Sequence, residues 1–155
     1  MRLAYVLLMV AACVDSSKGP EEALPEDGQA DSARSPTDHG SIALGTTETS
    51  DLTTDARYHQ WTFVLGGSAE IHAYTSRTPH DASVDTVLYL YKQSSTGSWG
   101  SYIARNDDDG TSLWSSIDKE LGIGEYRVLV KGYSTSTLGS FDVTVDCTGA
   151  GCTPP

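Results

Sequence analysis

Long hydrophobic runs, clustered positive charge and catalytic signatures are all scarce in this chain of 155 residues. Its longest apolar run, Leu3 to Val14, is about 12 residues, whereas a membrane-spanning helix needs roughly 20. Lys and Arg number 10 against 21 Asp and Glu, and the basic residues are scattered singly. With a net charge of −11, the chain is expected to repel a phosphate backbone, so nucleic acid is not a partner. No long stretch keeps helical spacing, which argues against a helical bundle or a doubly wound α/β enzyme. Gly-x-Ser-x-Gly, His-Glu-x-x-His and phosphate-loop patterns are missing, and His39, His59, His72 and His80 stand apart in sequence. The chain is therefore not expected to be an enzyme; a hydrolase assembled by convergence in space is a distant alternative. Its size suits one domain.

What is present begins with an address. Arg2 precedes the short apolar run, as in an export signal, and Val10-Ala11-Ala12-Cys13 resembles a bacterial lipobox. Residues 1–12 are read as a lipoprotein signal peptide and Cys13 as the lipidated first residue of the mature chain. Ordinary secretory cleavage nearby is the alternative. Multiple acyl chains, at about 0.8 kcal/mol per buried methylene, anchor durably where one chain does not. Val14 follows Cys13, so the acidic residue that signals inner-membrane retention is missing there and the outer membrane is the expected destination. Residues 13–40 then read as a disordered tether: Asp15, Glu21, Glu22, Glu26, Asp27, Asp31 and Asp38 face only Lys18 and Arg34. Such a segment cannot bury a core, and its charges extend it.

From residue 41 the pattern changes to short strands with Gly, Ser and Asp turns. Phe141, Val143, Val145 and Cys147 alternate with Asp142, Thr144 and Asp146, the period of a half-buried strand. Tyr126, Val128 and Val130 alternate with Arg127 and Lys131, interrupted only by Leu129, and the two segments are expected to form a terminal hairpin. Further strands are expected near 41–44, 58–65, 69–75, 84–91, 99–104 and 113–117, with one helical turn at 119–121. Eight strands of this kind predict an all-β antiparallel sandwich.

The order Asp85-Thr86-Val87-Leu88-Tyr89-Leu90-Tyr91, Ile103 to Asp108, Ser116-Ile117, Leu121 to Val130 and Gly139 to Val143 resembles the bacterial pre-peptidase C-terminal domain. The resemblance spans residues 41–147. It implies a jelly-roll-like sandwich, usually appended to secreted peptidases. No catalytic domain accompanies it in this sequence. Its relatives in secreted collagenases bind calcium, through an N-terminal segment that has no match here.

Three sets of residues are candidates for chemistry. With Cys13 given to lipid, Cys147 at the end of the sandwich and Cys152 in the 148–155 tail remain as an even pair, read as a disulfide with free thiols as the alternative. Asn106-Asp107-Asp108-Asp109-Gly110 fails as an EF-hand loop because Arg105 and Ser116 fall on its first and last ligand positions. If strands 84–91 and 99–104 pair so that partner numbers sum to about 191, Asp85 faces Asn106. Asp85, Asn106, Asp107, Asp108 and Asp109 then gather at one hairpin end, either around Ca²⁺ or as a hydrogen-bonded turn. Finally, 8 Tyr and 3 Trp outnumber 2 Phe, which is either β-propensity or a ligand face at Tyr89, Tyr91, Trp99 and Trp114.

Together these features describe a non-catalytic module anchored at the cell envelope that binds protein or polysaccharide; a structural or assembly component of the envelope is the alternative. The anchor has a direct test. Cys13→Ser should abolish lipid labelling and move the protein from the membrane to the soluble fraction, and unchanged membrane partition would contradict the lipid assignment.

Overall fold

The computed structural model describes residues 36–78, 84–110 and 112–153. The signal peptide, Cys13 and the tether up to residue 35 lie outside the described residues. Among those described, nine strands form a two-sheet sandwich of jelly-roll type: β1 (Thr37–Ser41), β2 (Thr47–Leu52), β3 (Tyr58–Leu65), β4 (Ala69–Arg77), β5 (Thr86–Lys92), β6 (Ala104–Asn106), β7 (Ser116–Leu121), β8 (Gly124–Gly132) and β9 (Gly139–Thr148). One sheet has the order β1-β3-β8-β5-β6 and the other β2-β9-β4-β7. All pairings are antiparallel except β1 with β3, which is parallel. None of the described elements is a helix long and apolar enough to cross a membrane.

Period-two patterning decides which side chains fill the space between the sheets. Trp61, Phe63 and Leu65 from β3, Tyr126, Val128 and Val130 from β8, and Leu88 and Leu90 from β5 meet Ile71 and Ala73 from β4 and Phe141, Val143 and Val145 from β9. Each fully buried aliphatic or aromatic side chain contributes about 1.5–3 kcal/mol of transfer free energy. At the seam between the sheets, Thr75, Thr86 and Ser115 are buried but satisfied. The Thr75 and Thr86 hydroxyls lie 2.6 Å apart, and the Ser115 hydroxyl donates to the Thr86 carbonyl at 2.7 Å. This network fixes the end of β5 next to Asp85.

Several expectations are corrected. The segments around Val128 and Val143 are not a hairpin. β8 pairs with β3 and β5, and β9 with β2 and β4, so neither has an edge left for the other. A strand's alternation reports which face is buried, not which strand lies beside it. The strand expected at 41–44 is a connection between β1 and β2 in which Ile42 is buried and Gly45 donates to the Val145 carbonyl. β1 occupies residues read as tether. Residues 119–121 extend β7 rather than turning as a helix, because Leu121 pairs with Ala69 and is buried.

The Cys147–Cys152 disulfide is formed. It holds the last turn, Ala150–Cys152, against the bend between β3 and β4, where Gly66 donates to the Gly151 carbonyl and Gly151 to Ser68. A Cβ on Gly151 would lie 2.2 Å from the Gly67 carbonyl oxygen, so only glycine fits. Phe141 gives the fold its clearest test, since it is fully buried and meets Trp61 and His59 edge-on at 6.2 and 5.6 Å. Phe141→Ala should lower unfolding free energy by about 3–5 kcal/mol in a urea titration; a loss below about 1 kcal/mol would contradict this core.

Candidate functional site

Three clusters lie outside the main core. The largest is on the outer face of the five-stranded sheet. Leu88 and Leu90 point inward, so Val87, Tyr89 and Tyr91 point outward with Leu129 of β8. They are not exposed there. Tyr89 and Tyr91 are 2% and 0% accessible, because residues 93–103 fold back across them. The loop is tied by a Gln93–Trp99 bridge and by Ile103 donating to the Leu90 carbonyl at 2.7 Å. Tyr102 meets Tyr89 edge-on at 5.5 Å, and the Arg127 guanidinium stacks on Tyr91 at 4.2 Å and on Trp99 at 5.0 Å while donating to Gln60 Oε1 at 3.0 Å. The side chains left half-exposed on this second apolar layer are Tyr58, Trp99, Tyr102 and Tyr133. Trp114 is not among them, since it packs on the main core. Of the residues expected to form a ligand face, Tyr89 and Tyr91 are buried and Trp114 joins the main core, whereas Trp99 is half-exposed beside Tyr58, Tyr102 and Tyr133, which sequence reading missed.

The second cluster is the acidic end of the β5–β6 hairpin. Its register differs from expectation: Leu88, not Asp85, opposes Asn106. The longer loop shifts partner numbers by three. Asn106 Oδ1 accepts from the Ser116 amide at 3.2 Å, and Asp107 pairs with Arg105 at 3.1 Å. Asp108 and Asp109 are exposed. Among the described residues no three His, Cys, Asp or Glu side chains converge as a metal-ligand group. Asp85 Oδ1 is buried without a hydrogen-bond partner. Desolvation, with Asp108 and Asp107 nearby, raises its pKa above the ordinary carboxylate value.

The third cluster was missed because its members are far apart in sequence. His59 of β3 is buried, and its Nδ1 lies 3.0 Å from His39 Nε2 of β1 and 2.9 Å from the Ser50 hydroxyl of β2. Burial lowers the pKa of His59 below the usual histidine value. His72 stands alone from these on the other sheet, paired with Asp118 at 2.7 Å beside a shallow concavity of about 370 Å³ that Glu70, Glu120 and Asp146 also line.

No family model matches the chain, and no curated protein matches it. Among solved structures the chain is similar to the pre-peptidase C-terminal domain of collagenase from Bacillus anthracis, with a TM-score of 0.53 and 17% identity, covering 72% of this chain and 94% of that one. The likeness is one of fold. A looser similarity, at TM-score 0.42 and 18% identity, is to the Yersinia pseudotuberculosis-derived mitogen, covering 66% of this chain and 83% of that one; it carries no argument.

The hairpin end yields a signed prediction. A carboxyl whose folded pKa is raised binds more protons folded than unfolded, so stability falls as pH rises from the ordinary aspartate range through the folded value. Asp85→Asn should therefore stabilise the protein at neutral pH, by no more than about 1 kcal/mol because solvent screens these carboxylates, and the gain should vanish in acid. The melting temperature should be equal in calcium and in chelator. A calcium-dependent rise that Asp85→Asn removes would instead show a cation at this end.

Proposed function

We propose that this protein is a non-catalytic binding module of the cell envelope, held to a membrane through lipid on Cys13 and offering the outer face of its five-stranded sheet to protein or polysaccharide. The observation that carries this reading is the layer of half-exposed Tyr58, Trp99, Tyr102 and Tyr133 seated on buried Tyr89, Tyr91 and Leu129. Aromatic rings with a polar end supply large contact area at low entropic cost, since each has two rotatable torsions. Their support is packed beneath them, so little ordering remains to be done on binding. The disulfide and the sandwich fold agree with export to an oxidising compartment, and the acidic tether would hold the module clear of the lipid surface. The Bacillus anthracis domain of like fold belongs to a collagenase, which supports fibrous protein as one ligand class to test. A structural or assembly role in the envelope is the second reading. It is favoured by the other sheet, whose outer face bears Glu70, Asp118, Glu120, Asp142 and Asp146, with Tyr74 against His72 as its aromatic contact.

The test is equilibrium binding of the whole chain to insoluble collagen and to purified envelope polysaccharide. Replacing Tyr58 and Tyr102 together by Ser should weaken binding to the preferred ligand by about thirtyfold, the size of one hot-spot residue, with the circular dichroism spectrum unchanged. Binding that is undiminished in this variant would move the site off the aromatic face.

A further inference from the structure

The histidine pair sits where a proton has mechanical leverage. β1 is an edge strand with all five residues exposed, and it is attached along one side only, to β3. Its ladder is interrupted between Asp38 and Ser41, where Gly40 takes a φ of +78°. His39 provides its main side-chain attachment. The His39 ring lies flat on Trp61 at 4.4 Å, with 8° between planes, and its Nε2 is 3.0 Å from His59 Nδ1. His59 Nε2 is 3.2 Å from the Ala56 carbonyl, which can only accept, so Nε2 carries the proton and Nδ1 the lone pair. The ring centroids are 5.3 Å apart, little more than the N···N distance plus the two ring radii. The nitrogens therefore point at one another, as in an N–H···N hydrogen bond.

That geometry has a limit of one added proton. With one, the charged ring can still donate to the lone pair of the other. With two, N–H faces N–H: the Ser50 hydroxyl, 2.9 Å from His59 Nδ1, can accept from that ring, but the bond between the rings is replaced by repulsion. Beneath His39 lies a second weakness: Trp61 is 1% exposed, and its Nε1 is buried with no acceptor, a costly state that water would relieve. We propose that β1 is a proton-released strap: when acid puts a second proton on the histidine pair, the strand leaves β3, Trp61 becomes accessible and the five residues of β1 are freed from the sandwich.

The surroundings support this direction. The charged groups about the pair are Asp38 on β1 itself, whose Oδ1 is taken by the Gly40 amide, and Asp51 on β2. β3 contributes Trp61, β9 contributes Phe141 and β8 contributes Val130, none of which ionises. Asp51 favours charge on His59, but burial outweighs it and the folded pKa lies below 6.5. The closed strap is thus fully stabilised above the ordinary histidine range and loses that stabilisation as pH falls below it.

Hydrogen exchange on the whole chain tests the strap. Protection of the Thr37–Ser41 amides, corrected for intrinsic rate, should fall about tenfold or more between about pH 7.5 and about pH 5, with a red shift in tryptophan emission, while β8 amides stay protected. His39→Gln can still donate to His59 but does not titrate, and His39→Phe keeps the stack on Trp61; in either, β1 protection should become independent of pH. Protection of wild-type β1 that is unchanged by acid, or acid release that persists in both variants, would overturn the proposal. Should one variant fail to fold, the other decides.

Discussion

Arg127 stacked on Tyr91 and Trp99 is the contact on which the outer face of the five-stranded sheet depends. An antiparallel sheet in a sandwich commonly turns one face to water. Here the 93–103 loop is laid over that face, and β5 and β8 are buried on both sides. The arginine suits this position: its stem covers apolar surface, its planar head stacks on two rings, and Gln60 satisfies one of its donors. Arg105 repeats the arrangement at the hairpin edge, donating to the Tyr89 hydroxyl at 3.3 Å and pairing with Asp107. Asp107 at that end therefore serves a basic residue that orders the aromatic layer, a structural use for one of the clustered acids.

The alternation of strands between the sheets imposes the second constraint. Successive strands mostly fall in opposite sheets, so the pairs that hold the fold, such as β2 with β9 and β3 with β8, join residues far apart in sequence. Topologies of this kind close long loops before contacts repay them and fold slowly. The features that tie distant segments are correspondingly specific: the Thr75–Thr86–Ser115 hydroxyl network at the seam, the disulfided tail against Gly67, and the histidine pair that joins β1 to β3.

Those same ties mark what was and was not readable from sequence. β3, β5 and β9 could be placed within a few residues, because alternation of apolar and polar side chains is a local consequence of burying one face. Pairing was not readable: Val128 and Val143 both stand in period-two patterns, broken at Leu129 in β8, yet they sit in different sheets. Register failed at β6 because it depended on where a Ser/Gly-rich loop ends, and beyond its Ser94–Ser98 turn that loop is held by contacts with Tyr89 and Tyr91. Tyr89 and Tyr91 read as outward-facing, which is correct, and as accessible, which is not, since a covering loop leaves no mark on the strand it covers. Ser50, His39 and His59 carried no joint signal at all, being 9 to 20 residues apart on three strands. The sandwich class and the Cys147–Cys152 pairing were legible because each rests on a short-range pattern.

The claim that one stacked arginine fastens the loop over the sheet is tested most directly by a double-mutant cycle between Trp99→Ala and Arg127→Met, read by urea unfolding. The account predicts a coupling energy of about 0.5–2 kcal/mol, the range for a partly desolvated cation–π contact. Strictly additive losses would contradict it.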